Sequence, residues 1–281
     1  MSRFIIVSYF FSRDDGVGGA RAECVAKVLQ RFGHGVEILN RRTCGKIAQR
    51  LKSVWILKCW AQLTFSRFDA IYVTCGPFWH LPFILISLLI RKRRFIFDLR
   101  DAWSLNIASA YGRNPQKNSA PIKKYIAQVI ERITYKLCDE FWVCTPGLEK
   151  GYADIFGCSR KIKLVLNGHD LPDRYSGIAT SKNNNKKEVG HLQLVCIGKF
   201  AEYGETSVKK VLQLMKQYID NNENDASIML YIVGVELELN NKLVGESDMG
   251  QYVKVMPAMP YEKAILFAAE ADYGVCIIRD E

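Results

Sequence analysis

Phe97-Asp98-Leu99-Arg100-Asp101-Ala102-Trp103 and, further along, Leu166-Asn167-Gly168-His169-Asp170 decide how this chain reads. Each follows an apolar run and ends in a polar turn, the pattern of a buried strand leaving a sheet. In open α/β sheets ligands bind outside the carboxyl ends of the strands, so charges gathered there are better candidates for chemistry than charges elsewhere.

Working outward, short runs rich in Ile, Val, Phe and Leu predict strands at residues 3–9, 35–39, 70–74, 94–98, 140–144 and 162–166. Helical patterns fill the gaps. Ala22, Val25, Val28, Leu29 and Phe32 share one face of a helix over residues 20–32, and residues 122–137 carry another apolar stripe. This alternation implies a parallel, doubly wound sheet. Residues 176–190 have no apolar period and read as a flexible loop. The alternation then restarts: strand 192–197, helix 206–219, strand 227–233, a short strand near 252–255, helix 260–269 and strand 273–278. The expected organisation is two Rossmann-like domains, residues 1–172 and 173–281.

At 281 residues, 49% apolar and 24% charged, the chain has material for two ordinary globular domains. Its nine cysteines are scattered and show no Cys-x-x-Cys spacing. They read as reduced core thiols in a cytoplasmic protein, with neither disulfide nor metal site proposed. The N-terminus enters a strand directly, without the apolar stretch of a signal peptide. The longest apolar run, Leu81 to Ile90, is shorter than the roughly 20 residues that cross a bilayer and reads as a buried helix.

The net charge of +10 is concentrated between Arg41 and Arg67 and at Arg91-Lys92-Arg93-Arg94. Residues 46–61 mix Leu, Ile, Val and two Trp with basic residues at near-helical spacing. This suits a helix on an anionic membrane surface, with residues 46–67 as the contact. It equally suits a surface helix packed on its own domain with lysines snorkelling outward. No nucleic-acid module is recognisable, so nucleic acid is a poor partner.

Gly16-Val17-Gly18-Gly19-Ala20-Arg21 follows the first strand. Glycines there let a backbone approach a ligand, and the free N–H groups of a helix start favour phosphate. The third glycine of a dinucleotide fingerprint is missing, since position 21 is arginine, and Leu39-Asn40-Arg41 offers no acid after the second strand, which disfavours a nicotinamide enzyme. Asp98, Arg100 and Asp101 are either an ion pair holding a strand corner or working groups, because charges at a sheet's carboxyl edge must be paired or used. His80, after Trp79, either assists proton transfer or caps the next helix.

Taken together, the glycine loop, the Asp-Leu-Arg-Asp-x-Trp segment and the Asn-Gly turn resemble a retaining glycosyltransferase of family 4, built on the GT-B fold, over nearly the whole chain. The resemblance implies that the first domain binds the acceptor and the second a nucleoside-diphosphate sugar. It places Gly18 and Gly19 against the donor's diphosphate, and Asp101 where it orients or deprotonates the acceptor hydroxyl. Arg100 would lie near the phosphate charge, with His80, Asp98 and Trp103 on the acceptor side. Asn167-Gly168 would form the turn towards the cleft, with Gly168 at positive φ. In the second domain Gly198 and Lys199 would meet the diphosphate, where positive charge stabilises the leaving group, and Gly234 would let the backbone approach the nucleotide. A hexosyltransferase is implied, acting on a lipid-linked or polysaccharide acceptor at the inner face of the cell membrane in bacterial envelope synthesis. It would use no cofactor besides the donor and no metal.

The departures matter too. Gly204 and Glu205 stand where relatives carry a second lysine, and nothing supplies the Glu-x7-Glu segment that grips the donor. The expectation is a fragment, or a domain completed by another chain. The alternative is a non-catalytic GT-B remnant serving as an accessory binding subunit.

Overall fold

A computed structural model describes residues 1–11, 17–45, 51–76, 78–107, 120–168, 191–198, 200–201, 205–221, 227–235 and 237–276. The chain divides into two compact units, Met1–His169 and Asp170–Glu281.

In the first unit, β1 (Arg3–Ser8), α1 (Val17–Arg31), β2 (Gly35–Leu39), α2 (Lys52–Phe65), β3 (Ala70–Cys75), α3 (Leu81–Ile90) and β4 (Arg94–Leu99) alternate. They are followed by the short α4 (Ser104–Ile107), then α5 (Ala120–Leu137), β5 (Glu140–Val143), α6 (Pro146–Phe156) and β6 (Ile162–Leu164). The six strands are parallel in the order β2-β1-β3-β4-β5-β6. Side chains alternate between the sheet's faces along each strand. Ile5, Val7, Ile71, Val73, Phe95, Phe97 and Phe141 meet Trp55, Cys59, Leu63, Leu81, Ile84 and Tyr152 on one face, whereas Ile6, Tyr72 and Ile96 meet Ala22 and Ala26 of α1 on the other. Thr145 caps α6 by accepting from the Leu148 amide at 3.2 Å, and Gly157 ends that helix in the left-handed conformation.

The second unit contains β7 (His191–Ile197), α7 (Glu205–Asn221), β8 (Ser227–Gly234), α8 (Leu237–Glu246), β9 (Val253–Pro257), α9 (Tyr261–Glu270) and β10 (Tyr273–Gly274). Its four described strands are parallel in the order β10-β7-β8-β9. Periodicity places no helix over 237–246, because one of its three inward positions is Asn240. That side chain is buried beside Leu243 and Val244 and donates to the Val235 carbonyl at 3.2 Å. The last strand pairs only over Tyr273–Gly274, and residues 277–281 lie outside the described ones.

For α2 one of the two sequence readings matches, and for α3 the expectation changes. α2 turns Trp55, Cys59 and Leu63 into the core, the arrangement of a helix packed on its own domain, and residues 46–50 lie outside the described ones. α3 is not fully buried: Phe83, Ile86, Leu89 and Ile90 are exposed. An all-apolar sequence has no period to announce its outer face. All nine cysteines are free, with Cys24, Cys158 and Cys276 exposed. Among the described residues no helix is long and apolar enough to cross a membrane.

Candidate functional site

The carboxyl edge of the first sheet is organised by Asp98, in register with Thr74 of β3 and Trp142 of β5. Its side chain is fully buried. Arg21, one turn into α1, grips it with two donors, Nε to Oδ2 at 2.7 Å and Nη2 to Oδ1 at 2.9 Å. The Tyr72 hydroxyl donates to the same carboxylate. Burial opposes the Arg21 charge, but the hydrogen bonds and charge of Asp98 outweigh it and hold the guanidinium more firmly protonated than usual. Burial, reinforced by the Asp98 charge, pushes the Tyr72 phenol well above its ordinary range.

Arg21 also reaches the Asn-Gly turn. Its Nη1 donates to the Leu166 carbonyl at 3.1 Å and to Asn167 Oδ1 at 3.2 Å. One arginine therefore ties the start of α1, the end of β4 and the segment after β6 together. In the sequence Arg21 reads only as a missing glycine, and its partners lie too far along the chain for any local pattern to show them. Asp98 is corrected accordingly: it is a buried anchor, not a group facing an acceptor. Gly168 does not adopt positive φ, and a Cβ there would meet open space. His169 and Asp170 lie outside the described residues.

Beyond β4 the chain turns through Arg100 and Asp101, of which Asp101 is exposed. Gly76, just past β3, has φ of +151°, and a Cβ there would lie 3.4 Å from Asp101 Oδ2 and 3.8 Å from Arg100 Nη2. The structure thus brings Arg100 and Asp101 against a glycine loop that the sequence does not single out. The turn is well braced. Cys144 Sγ contacts the Arg100 carbonyl at 3.1 Å, and Trp103 stacks flat on Phe78 with ring centroids 4.7 Å apart. The Trp103 amide donates to Tyr152 Oη at 3.1 Å, and the Ser104 amide donates to Glu131 Oε1 at 3.1 Å, which also accepts from Tyr152 at 2.6 Å. Burial raises the Glu131 pKa against the lowering effect of these bonds.

His80 is corrected as well. It is 1% exposed, edge-on to Trp55 and Trp79, with Nε2 3.8 Å from Cys75 Sγ. Burial lowers its pKa from 6.5 to about 3, so it is a neutral imidazole. Its carbonyl accepts from the Phe83 and Ile84 amides at the start of α3, but its side chain makes no cap hydrogen bond, so packing against the tryptophans rather than capping holds the ring.

Gly18 and Gly19 occupy the first turn of α1, at the carboxyl end of β1, where helix amides lack intrahelical partners. In the second unit, Gly198 follows β7 at φ of +119° and donates to the Val233 carbonyl at 2.8 Å. A Cβ on Gly234 would stand 1.9 Å from the Gly198 carbonyl oxygen. Gly234 is therefore required by the neighbouring backbone rather than by a ligand alone. The two glycines line a cavity of about 140 Å³ with Ile197, Val235, Ala258, Met259 and Ala264. Lys199 lies outside the described residues. A larger cavity of about 440 Å³, bounded by Glu37, Cys44, Lys58 and Gln62, contains none of these residues. Among the described residues no group of three or more His, Cys, Asp or Glu side chains is placed to hold a metal.

No family model and no curated protein matches the chain in sequence. Solved structures do. The chain is similar to a trehalose-phosphate synthase (UDP-forming) from Burkholderia vietnamiensis, with TM-score 0.55 and 14% identity over 95% of this chain and 75% of that one. It is similar to the lipopolysaccharide outer core galactosyltransferase WaaB, with TM-score 0.55 and 10% identity over 94% and 70%. It is also similar to the UDP-GlcNAc 2-epimerase of Methanocaldococcus jannaschii, with TM-score 0.51 and 11% identity over 95% and 76%. Two parallel α/β sheets and these neighbours define the GT-B fold.

Proposed function

We propose that this chain is a glycosyltransferase that moves a sugar from a nucleoside-diphosphate sugar, with UDP as the nucleotide, to a hydroxyl of a lipid-linked or polysaccharide acceptor. The observation that supports it best is the convergence of Arg100 and Asp101 on Gly76 at the carboxyl edge of the first sheet, in a fold whose solved neighbours are named for UDP-sugar chemistry. The resemblance of Asp98 to Trp103 and of Asn167-Gly168 to family 4 adds retention at the anomeric carbon.

In this reading Gly198, Gly234 and Lys199 receive the diphosphate. In the second unit Lys199 stabilises the charge that develops as the bond from the anomeric carbon to the diphosphate breaks; in the first, Arg100 and the open amides of Gly18 and Gly19 offer positive charge to a phosphate. Asp101 is free in position to orient the acceptor hydroxyl. The acceptor's proton passes to the departing diphosphate as the new glycosidic bond forms on the face the donor leaves. The acceptor is held at the cytoplasmic side of a membrane. No metal is called on, since cationic side chains and helix amides supply the positive charge.

Calorimetric titration of the chain with UDP and UDP-sugars tests this. Saturable binding, weakened on the order of tenfold by Lys199→Ala, supports a donor half-site. Absence of binding at millimolar nucleotide in a folded protein would overturn it.

A further inference from the structure

The helical layer formed by α2, α3 and α5 carries an outer surface that the sugar-transfer reading does not use. α3 lies between the other two, packing against both. Its inner face, Leu81, Ile84, Leu85 and Leu88, fills the core. Its outer face is equally apolar, with Phe83, Ile86, Leu89 and Ile90 between 42% and 68% exposed. Ser87, the one polar residue of this helix, is buried and donates to the Ile84 carbonyl at 2.7 Å, so nothing polar interrupts that outer face.

The neighbouring helices continue the surface. On α5, Ile122, Tyr125 and Ile126 are at least half exposed at helical spacing, and on α2 Leu57 and Phe65 stand out at 60% and 72%. Singly exposed apolar side chains are ordinary, but a contiguous set on three packed helices marks a docking face. The polar residues around it have one sign. Arg91, Lys92 and Lys123 are exposed, and the only acid on the three helices, Glu131, is buried.

We infer that this face docks on an anionic lipid bilayer, with the outer residues of α3 and α5 entering the interfacial region and the lysines and arginines reaching lipid headgroups. Apolar side chains ringed by long basic ones are the composition of an interfacial surface. A second copy of the chain fits less well, because a two-fold dimer apposes the same patch to itself and would bring Arg91, Lys92 and Lys123 against their own counterparts. The face differs from residues 46–67 read from sequence, where Trp55 turns inward and, among the described residues, Leu51, Leu57 and Phe65 are the large exposed apolar side chains.

The inference gives the proposed transfer its membrane partner, and its test does not involve a sugar donor. The purified chain is sedimented with vesicles of phosphatidylcholine alone and of phosphatidylcholine mixed with phosphatidylglycerol, at low and high salt. Binding to the anionic vesicles, reduced by salt, is expected. Each removed basic charge weakens it by roughly fivefold, so Lys92→Gln/Lys123→Gln lowers the partition coefficient by more than tenfold, and Ile86→Gln/Leu89→Gln does so without changing the salt dependence. The altered apolar residues are solvent-exposed, and circular dichroism melting confirms that each variant is folded. A folded chain that stays in the supernatant, or variants that partition as the parent does, would overturn the inference. So would a dimer in light scattering that Ile86→Gln/Leu89→Gln dissolves, which assigns the face to a second copy. Vesicle binding without nucleotide binding would sustain this surface and refute the transferase instead.

Discussion

Replacing Arg21 by Met tests the anchor on which the first half of the site is built. Met keeps the length and apolar stem of the arginine but removes the guanidinium that gives two hydrogen bonds to a fully buried carboxylate. Asp98 would keep the hydrogen bond from the Tyr72 hydroxyl and lose the charge of Arg21. Breaking a buried pair from one side costs about 3–5 kcal/mol, because the remaining charge stays desolvated. The lost bonds to the Leu166 carbonyl and Asn167 add about 1 kcal/mol. All five tryptophans (Trp55, Trp60, Trp79, Trp103 and Trp142) lie in the first unit, so tryptophan fluorescence in urea reports that unit alone. With a urea dependence on the order of 3 kcal/mol per molar, the midpoint falls by about 1 M or more. Adding Asp98→Asn to Arg21→Met removes the stranded charge and restores most of the loss. A midpoint unchanged by Arg21→Met, or a double variant weaker than the single one, would refute the reasoning.

Acid should weaken the first unit through His80. Its folded pKa of about 3 lies below the ordinary 6.5, so the unfolded chain binds the extra proton between those values; the contribution is whole above pH 6.5 and fades as pH falls towards 3. Between pH 6.5 and 4.5 the loss is about 2–3 kcal/mol, and His80→Phe should flatten that part of the profile measured by urea midpoints; an unchanged slope would show that other groups carry it. In the second unit, Gly234→Ala drives a methyl into the Gly198 carbonyl oxygen, 1.9 Å away, and should cost several kcal/mol. Gly245→Ala, at an open position near the end of α8, should be neutral or stabilise by up to about 1 kcal/mol. Far-UV circular dichroism of the two variants checks the contrast, and equal melting temperatures would contradict it.

The strand positions were legible because a parallel sheet covered on both sides writes each strand as an apolar run, and most positions of β1, β3 and β4 are buried. What was not legible depends on distant partners. Asp98 and Asp101 look alike at a strand end, and only Arg21, 77 residues earlier than Asp98, separates the buried anchor from the exposed group. His80 similarly reads as a loop histidine until Trp55, from the preceding helix, is seen against its ring. α3 fails for a different reason: with every position but Ser87 apolar, no period tells its inner face from its outer one.

The central claim is sugar transfer from a nucleotide donor, and the most direct measurement is phosphorus and proton magnetic resonance of a panel of UDP-sugars incubated with the chain and a bacterial lipid extract. The account predicts release of UDP that depends on the extract, together with a new anomeric signal of the donor's own configuration. A donor isomerised with no UDP released, or one left untouched by a folded chain that binds it, would contradict the account.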